Sequence, residues 1–282
     1  HLYHRRQRQM CIRDRIDQEG GRVARLGAPH WFEFTPALQQ SENVYAERTF
    51  WLRGRLIAEN LRLSGIDVNC APLGDIAQPD THHILRNRCY GTDKSQVIIN
   101  ARALNSGLRH GGISGVLKHI PGHGRAKLDS HLFLPKVLSD QAILEDTDFS
   151  VFKELKDMDM GMTAHLIFDQ LDPKNPATQS PTVINMIRNE IGFTGLLITD
   201  DISMNALEGN LKTRALKALG AGCDIVLHCN GVLQEMKLLH QNSRELAGES
   251  LDRAKLSINN RPTPVSIDIL QLKEEFESLM NE

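Results

Sequence analysis

Short apolar runs that end in polar or charged residues recur along the chain, and amphipathic stretches separate them. Five of these runs are Asp67–Pro72, Gly115–His119, Gly161–His165, Gly195–Asp200 and Asp224–His228, and a sixth run ends at Asp17. The runs are short and rich in aliphatic residues, which suits strands that are covered on both faces, as in a parallel sheet.

The stretches between the runs predict helices, because their apolar residues recur at spacings of three and four. The predicted helices are Arg48–Leu63, Ser95–Arg109, one that opens at Ser180-Pro181 and ends at Gly192, Asn205–Leu219 and Val232–Leu246. Strand, helix and strand repeated in this way predict right-handed βαβ units. Residues 247–282 predict a helical tail that Pro262 and Pro264 interrupt.

An open doubly wound sheet and a closed barrel both satisfy this pattern. Nearly every run ends in groups capable of chemistry, namely Asp17, Lys118, His119, His165, Asp200, Asp201 and His228. In a (β/α)₈ TIM-type barrel the carboxyl ends of all strands meet at one mouth, whereas an open sheet would spread these groups along an edge. We therefore expect a barrel. Since the chain has only six runs, we expect it to lack roughly the first two βα units.

Composition narrows the classes of function. Apolar residues make up 40% and charged residues 24% of the 282 residues, which is typical of a globular chain. Aromatic residues make up 5% and the net charge is −2, so we expect neither a nucleic-acid partner nor a membrane partner.

Five cysteines form no CxxC pair, which predicts neither a disulfide framework nor a zinc knuckle. We interpret Cys70 and Cys223 as small buried hydrophobic residues and expect a reducing, cytoplasmic location.

The first fifteen residues, HLYHRRQRQMCIRDR, are strongly basic and have no hydrophobic periodicity. No apolar segment follows them, so they do not read as a secretory signal. A basic nucleic-acid-binding arm is one interpretation. The segment also resembles a translated sequencing-adapter remnant. We therefore expect residues 1–15 to be non-native and leave them out of the fold prediction.

One candidate site lies in Lys118–His131, KHIPGHGRAKLDSH. Asp129 and His131 stand two positions apart, which in an extended segment puts both side chains on one side. Asp129 then accepts a hydrogen bond from the His131 Nδ1–H and supports a charged imidazole, so that His131 is a general acid/base. The alternative is a solvated loop histidine with an incidental acidic neighbour.

A second candidate lies in GLLITDDISM, where Asp200 and Asp201 follow a buried strand. Two carboxylates there are costly unless they are solvated, paired or metal-bound. We expect one acid to N-cap the following helix and the other to be free as a nucleophile or ligand. A third, weaker candidate is IDQEGGRVAR, where Gly20-Gly21 permit a tight turn and Arg22 and Arg25 order the loop or contact a ligand.

Taken in order, KHIPGHG…DSH, MTAHLIF, GLLITDDISM and AGCDIVLHCN resemble the β-N-acetylhexosaminidases of glycoside hydrolase family 3. The resemblance is greatest to compact bacterial enzymes that recycle peptidoglycan, and it extends from about Ile16 to Gly231. It implies a catalytic (β/α)₈-type barrel, which we place at residues 16–246, before a tail at 247–282. It also implies a monomeric, retaining exo-glycosidase for terminal β-linked N-acetylglucosamine, acting on muropeptides of the GlcNAc-anhydroMurNAc type.

The resemblance also implies residue roles. Asp200 matches the nucleophile, His131 the acid/base and Asp129 the partner that orients it. The residues that match those holding the sugar hydroxyls are Asp17, Arg25, Arg88, Lys118 and His119. No metal and no organic cofactor is implied. Family members carry about two further βα units before Asp17, so we expect these 282 residues alone to be inactive or poorly soluble.

Three other interpretations stay open. A metal-dependent barrel hydrolase would draw ligands from His119, His123, His131, His165 and Asp200. A glycoside phosphorylase would use the same nucleophile, because a neutral histidine base repels phosphate less than a carboxylate does. A sugar-binding relative without activity is the non-enzyme interpretation.

Overall fold

The computed structural model describes residues 14–282 of the chain. Its strands are β1 Arg15–Ile16, β2 Val68–Asn69, β3 Ser114–Gly115, β4 Leu117–Ile120, β5 Lys136–Val137, β6 Met160–Thr163, β7 Ile167–Phe168, β8 Leu196–Asp201 and β9 Ile225–Leu227. Its helices are α1 Ala37–Ser41, α2 Ala46–Leu63, α3 His83–Arg86, α4 Lys94–His110, α5 Gln141–Asp146, α6 Asp148–Glu154, α7 Pro181–Asn189, α8 Leu211–Ala221, α9 Leu233–Asn242, α10 Gly248–Asn259 and α11 Ile269–Asn281. One 3₁₀ turn spans Ala177–Gln179.

The six predicted runs form parallel strands that pair in chain order. One sheet has the order β1-β2-β3 and the other β4-β6-β8-β9. Only Val116 separates β3 from β4, and its N–H lies 3.0 and 2.9 Å from the carbonyls of Asn69 and Ala71. A parallel bridge between Leu73 and Lys118 continues the pairing. The predicted α/β class with parallel strands is confirmed, and the sequence did not reveal the side sheet of β5 and β7.

The described strands do not close into a ring. Within residues 14–282, β1 pairs only with β2, and β9 pairs only with β8. Strand β9 is half-buried, whereas every residue of β4 and β6 is buried. The parallel layer is therefore open between β9 and β1, and the closed barrel remains a prediction.

The first strand begins earlier than the sequence suggested. The prediction that residues 1–15 are non-native is wrong for Asp14 and Arg15, which belong to the fold. The Asp14 carbonyl accepts hydrogen bonds from the amides of Asp67 and Val68, and Arg15 pairs with Val68 in β1 and β2. The other predicted non-native residues, 1–13 with Cys11, lie outside the described residues.

Most predicted helices have nearly the expected limits. Helices α2 and α4 begin and end within two residues of the prediction. Helix α7 begins at Pro181, and Ser180 Oγ accepts a hydrogen bond from the Val183 amide at 3.2 Å, which is the expected N-cap. Close packing of α2 on α4 depends on glycine, because a Cβ at Gly54 would overlap the Leu104 carbonyl.

Two predicted helix limits are wrong. The helix expected from Asn205 begins at Leu211, where Asn210 Oδ1 accepts a hydrogen bond from the Thr213 amide at 2.9 Å. Apolar residues of segment 202–210 are buried within turns, so their spacing only imitates a helix. The helix expected to reach Leu246 ends at Asn242.

The predicted tail is helical and packs on the rest of the molecule. Segment 260–268, with both prolines, separates α10 from α11. Phe276 of α11 is buried, and Arg48 of α2 donates two hydrogen bonds to Glu275, at 2.7 and 2.8 Å. Among the helices of residues 14–282, none has the length and apolar character needed to span a lipid bilayer.

Candidate active site

One cavity of about 240 Å³ opens at the carboxyl ends of β1, β4 and β8. The eight residues that the resemblance singled out all line it: Asp17, Arg25, Arg88, Lys118, His119, Asp129, His131 and Asp200. Parallel strands present their carboxyl ends at one edge, which is why residues far apart in sequence meet there. Arg22, His82, His123 and Ser130 also line the wall.

Asp200 is the carboxylate that strand β8 brings to the cavity. Its side chain is 19% exposed, and one oxygen, Oδ2, lies 4.0 Å from His119 Nε2. The other, Oδ1, accepts a hydrogen bond from the Asp201 amide at 2.8 Å. Burial acts to raise the pKa of Asp200, but His119, His165, the Asp201 amide and Lys118 together lower it to about 2. Asp200 is therefore ionised throughout the neutral range.

Asp201 has a different environment from its neighbour. It accepts hydrogen bonds from the Ser203 amide at 3.0 Å, the Ser203 hydroxyl at 2.7 Å and the Cys229 amide at 3.2 Å. The prediction that one acid caps the following helix is wrong, because Asp201 closes a turn and α8 begins only at Leu211. Asp201 ties β8 to the segment after β9, while Asp200 faces the cavity.

Asp129 and His131 form the hydrogen bond that their spacing predicted. His131 Nδ1 lies 2.8 Å from Asp129 Oδ1, and the His131 amide donates to the same oxygen at 2.9 Å. Burial acts to raise the pKa of Asp129, but the hydrogen bonds from His131 outweigh it and lower that pKa. The segment is a turn rather than extended, because the amides of Leu132 and Phe133 donate to the Asp129 carbonyl. The His131 ring is 59% exposed, which leaves Nε2 available to a ligand.

Glu19 is the centre of an ion network that sequence reasoning missed. It is 3% exposed and accepts bonds from Arg88 at 2.9 and 2.8 Å, while Lys118 Nζ lies 2.6 Å away. Burial opposes all three charges, yet their mutual attraction lowers the pKa of Glu19 and raises the pKa values of Arg88 and Lys118. Its position two residues after the strand-end Asp17 was the available signal.

Asp17 joins the same network from the cavity side. Its Oδ1 lies 3.1 Å from Lys118 Nζ, and its Oδ2 lies 3.7 Å from Arg25 Nη2. Four of the five predicted sugar-binding residues thus share one set of ion pairs around Glu19. Charged side chains that hold each other in this way keep fixed positions for hydrogen bonding.

Asp75 is a second buried carboxylate that sequence reasoning missed. Its Oδ2 lies 2.7 Å from His119 Nδ1, and its Oδ1 accepts a hydrogen bond from the His123 amide at 2.6 Å. Burial acts to raise the pKa of Asp75, but His119 and His123 lower it. The available signal was a single acid inside the apolar segment APLGDIA.

Two strand-end histidines that we expected at the mouth are engaged elsewhere. His165 is fully buried, with Nε2–H donating to the Asp201 carbonyl at 3.1 Å and Nδ1 2.7 Å from Thr178 Oγ1. His228 Nε2 lies 2.8 Å from Glu235 Oε2. Within residues 14–282, no three His, Cys, Asp or Glu side chains are grouped so as to hold a metal ion.

The predicted character of two cysteines is confirmed. Cys70 and Cys223 are buried, at 4% and 1% exposure, and burial raises the pKa of each thiol to about 12. Both thiols therefore stay protonated at neutral pH and pack as apolar groups.

Residues 6–259 match the model of the glycosyl hydrolase family 3 N terminal domain, and the chain belongs to this family. A beta-hexosaminidase of Methylobacillus flagellatus is 32% identical over 248 residues, which cover 84% of this chain and 70% of that protein.

Two solved structures show the same likeness. A family 3 beta-N-acetylglucosaminidase of a Paenibacillus species has a TM-score of 0.82 at 26% identity, covering 95% of this chain and 56% of that one. NagZ of Neisseria gonorrhoeae in complex with N-trifluoroacetyl-D-glucosamine has a TM-score of 0.78 at 28% identity, covering 95% and 79%. The chain thus spans between about half and four fifths of the lengths of these proteins.

Proposed function

We propose that this protein is a retaining exo-β-N-acetylglucosaminidase that hydrolyses terminal β-linked N-acetylglucosamine. The observation that carries the proposal is that ionised Asp200 and the Asp129-oriented His131 line one cavity. A retaining glycosidase needs a nucleophile on one side of the anomeric carbon and a proton donor near the leaving oxygen. The names of the relatives point to the same sugar class.

In the first step an Asp200 carboxylate oxygen attacks the anomeric carbon and forms a covalent glycosyl ester. The bond to the leaving oxygen breaks as the His131 imidazolium donates its Nε2 proton to that oxygen. In the second step the neutral imidazole takes a proton from water, and this water displaces Asp200 from the anomeric carbon. Asp129 holds the ring in one tautomer and stabilises its charged form.

An imidazole suits this role at neutral pH with little tuning. Its ordinary pKa is about 6.5, whereas a carboxylic acid in the same role needs its pKa raised, to about 6 in lysozyme. The carboxylate and imidazole here divide the work: Asp200 stays charged, while His131 cycles between two charge states. Five further cavity residues, Asp17, Arg25, Arg88, Lys118 and His119, hold the sugar hydroxyls in this proposal.

The test is turnover of an aryl β-N-acetylglucosaminide, with the configuration of the first-formed sugar followed by proton NMR. We expect release of the β anomer before mutarotation. Release of the α anomer would contradict the retaining mechanism. Failure of both the 282-residue chain and the full reading frame that contains it to turn over the substrate would contradict the proposed activity.

We also propose a natural substrate of the GlcNAc-anhydroMurNAc type, in cell-wall recycling. The resemblance to peptidoglycan-recycling enzymes supports it, and the free thiols of the described cysteines fit the cytoplasm as location. The comparison of kcat/KM for this disaccharide and for chitobiose tests the assignment. A preference for chitobiose would contradict it.

A glycoside phosphorylase is the second candidate, favoured by two observations. The proposed base is an imidazole rather than a carboxylate, and Arg22 lines the cavity without an ion pair to an acidic side chain of residues 14–282. An unpaired guanidinium suits phosphate. Phosphate-dependent acceleration with release of N-acetylglucosamine 1-phosphate would support this candidate, and an unchanged rate would support hydrolysis. Loss of activity on addition of a chelator would support the metal-dependent alternative. Sugar binding measured by calorimetry, without turnover, would support the non-enzyme interpretation.

We propose finally that the six predicted runs, with β3 and β4 counted as one strand, are six of the eight strands of a (β/α)₈ barrel that extends from β1 to residue 246, with two βα units needed to close it. Strand pairing in chain order and the greater length of the solved relatives support this. The 282-residue chain should then be poorly soluble or inactive, because open strand edges invite aggregation. A monomeric, cooperatively melting and active 282-residue chain would contradict the proposal.

A further inference from the structure

Among residues 14–282, the loop that carries Asp129 and His131 is held by a backbone hydrogen bond, from the Asn205 amide to the His131 carbonyl at 3.2 Å, and by one buried side-chain contact. His123 Nε2 lies 3.0 Å from Ser130 Oγ, and the two residues are 5% and 7% exposed. Ser130 stands between Asp129 and His131, so this contact fixes the middle of the acid/base pair. The flanking loop residues Leu132 and Phe133 are 57% and 59% exposed and add little packing.

His123 is itself held by the buried carboxylate of Asp75. The His123 amide donates to Asp75 Oδ1 at 2.6 Å, and the other oxygen lies 2.7 Å from His119 Nδ1. His119 Nε2 in turn lies 4.0 Å from Asp200 Oδ2. One carboxylate therefore contacts both the chain segment that leads to the acid/base loop and the histidine beside the nucleophile.

The His123 ring fits an uncharged structural contact. Burial, with His119, lowers the pKa of His123 to about 4, so that the ring is neutral at the pH of the proposed reaction. Its Nδ1 is buried and has no hydrogen-bond partner among the described residues. The bond to Ser130 is thus the polar contact that holds the ring, and its loss would leave a further buried nitrogen unsatisfied.

We propose that His123 and Ser130 are positioning residues for His131, and that Asp75 sets their place relative to Asp200. The inference rests on the proposed function, since it assigns His131 as the acid/base. Without the His123–Ser130 bond the exposed loop would sample positions in which His131 Nε2 no longer reaches the leaving oxygen. Proton transfer would then suffer more than sugar binding.

The main test compares Ser130→Ala with Ser150→Ala. Ser150 is a control on α6 whose hydroxyl donates to the nearby carbonyls of Asp146 and Thr147, just before that helix. The readout is kcat/KM on two aryl β-N-acetylglucosaminides, one with a weakly acidic and one with a strongly acidic phenol. The weakly acidic leaving group needs the proton of His131, and the strongly acidic one does not. We expect Ser130→Ala to lower kcat/KM ~10-fold on the first substrate only, with KM nearly unchanged. This loss is a fraction of what general acid/base catalysis contributes.

A second pair of variants separates the bond from the general packing. His123→Gln places an amide where Nε2 lies, and His123→Asn places it near Nδ1. We expect His123→Gln to stay near wild type and His123→Asn to match Ser130→Ala. Equal loss in both variants would indicate a packing role and contradict the proposal.

Hydrogen exchange gives a readout that does not depend on activity. The amides of His131, Leu132 and Phe133 all bond to Asp129, and we expect them to exchange faster in Ser130→Ala, with exchange elsewhere unchanged. Unchanged exchange, or equal loss of rate on both substrates, would overturn the positioning role. Absence of turnover by both the wild-type 282-residue chain and the full reading frame that contains it would contradict the proposed function, while the exchange result would still decide on the anchor.

Discussion

Two aspartate–histidine pairs place their rings at the same cavity and differ in how deeply the fold buries them. Asp75 and His119 are joined at 2.7 Å, and Asp129 and His131 at 2.8 Å. The His119 side chain on strand β4 is 6% exposed, whereas the His131 side chain on a loop is 59% exposed. Equal hydrogen bonds thus serve a fixed ring beside the nucleophile and an accessible ring suited to proton transfer.

Among the variants that test this comparison, His131→Ala should cause the largest loss of activity. We expect kcat/KM on the weakly acidic phenol to fall ~10²–10⁴-fold, because general acid help is lost, with a much smaller loss on the strongly acidic phenol. Thermal stability should stay near wild type, since the ring is exposed. A loss that is independent of the leaving group would contradict the acid/base assignment.

Asp129→Asn should reduce activity less than loss of the ring itself. The amide keeps the size of the side chain but removes the anion that stabilises a charged imidazole, so we expect ~10²-fold loss in kcat with unfolding free energy within about 0.5 kcal/mol of wild type. Asp252→Ala, at an exposed surface position, is the control. Activity equal to that of the control would show that the pair is incidental.

Asp75→Asn should act mainly on stability. The variant disturbs a buried carboxylate that accepts hydrogen bonds from one ring and the His123 amide, and we expect about 2 kcal/mol of lost unfolding free energy in urea. Asp129→Asn, in contrast, should lower the activity and leave the free energy of unfolding nearly unchanged. Equal destabilisation by both variants would break the distinction between a fixed and an accessible pair.

Acid should also weaken the protein, through protonation of Asp200. Its pKa is lowered to about 2, against about 3.9 in an unfolded chain, so its contribution is present above pH ~4 and is lost as pH falls towards 2. Urea unfolding of wild type and Asp200→Asn between pH 5 and pH 2 measures it. The difference should shrink in acid, and a difference that grows would contradict the lowered pKa.

The sequence predicts those features of this molecule that depend on residues close together along the chain. Asp17, Lys118 and Asp200 were found because each directly ends an apolar run, and parallel strands bring such ends together. Asp129 was found because its partner is two residues away. Local pattern sufficed for these.

Residues whose partners are distant in sequence escaped prediction. Glu19 is held by Arg88 and Lys118, and Asp75 by His119 and His123, so neither role is visible in its neighbours. The false helix start at Asn205 has the opposite cause: apolar turn residues took on helical spacing because they pack under the turn that Asp201 holds.

The covalent intermediate tests the central assignment most directly. A slow-reacting 5-fluoro-N-acetylglucosaminyl fluoride is incubated with the active protein, which is then digested with trypsin and sequenced by mass spectrometry. The account predicts one added sugar on peptide 189–212, carried by Asp200 and absent in Asp200→Asn. A label on Asp201 or on any other side chain, or turnover of the fluorosugar without any label, would contradict it.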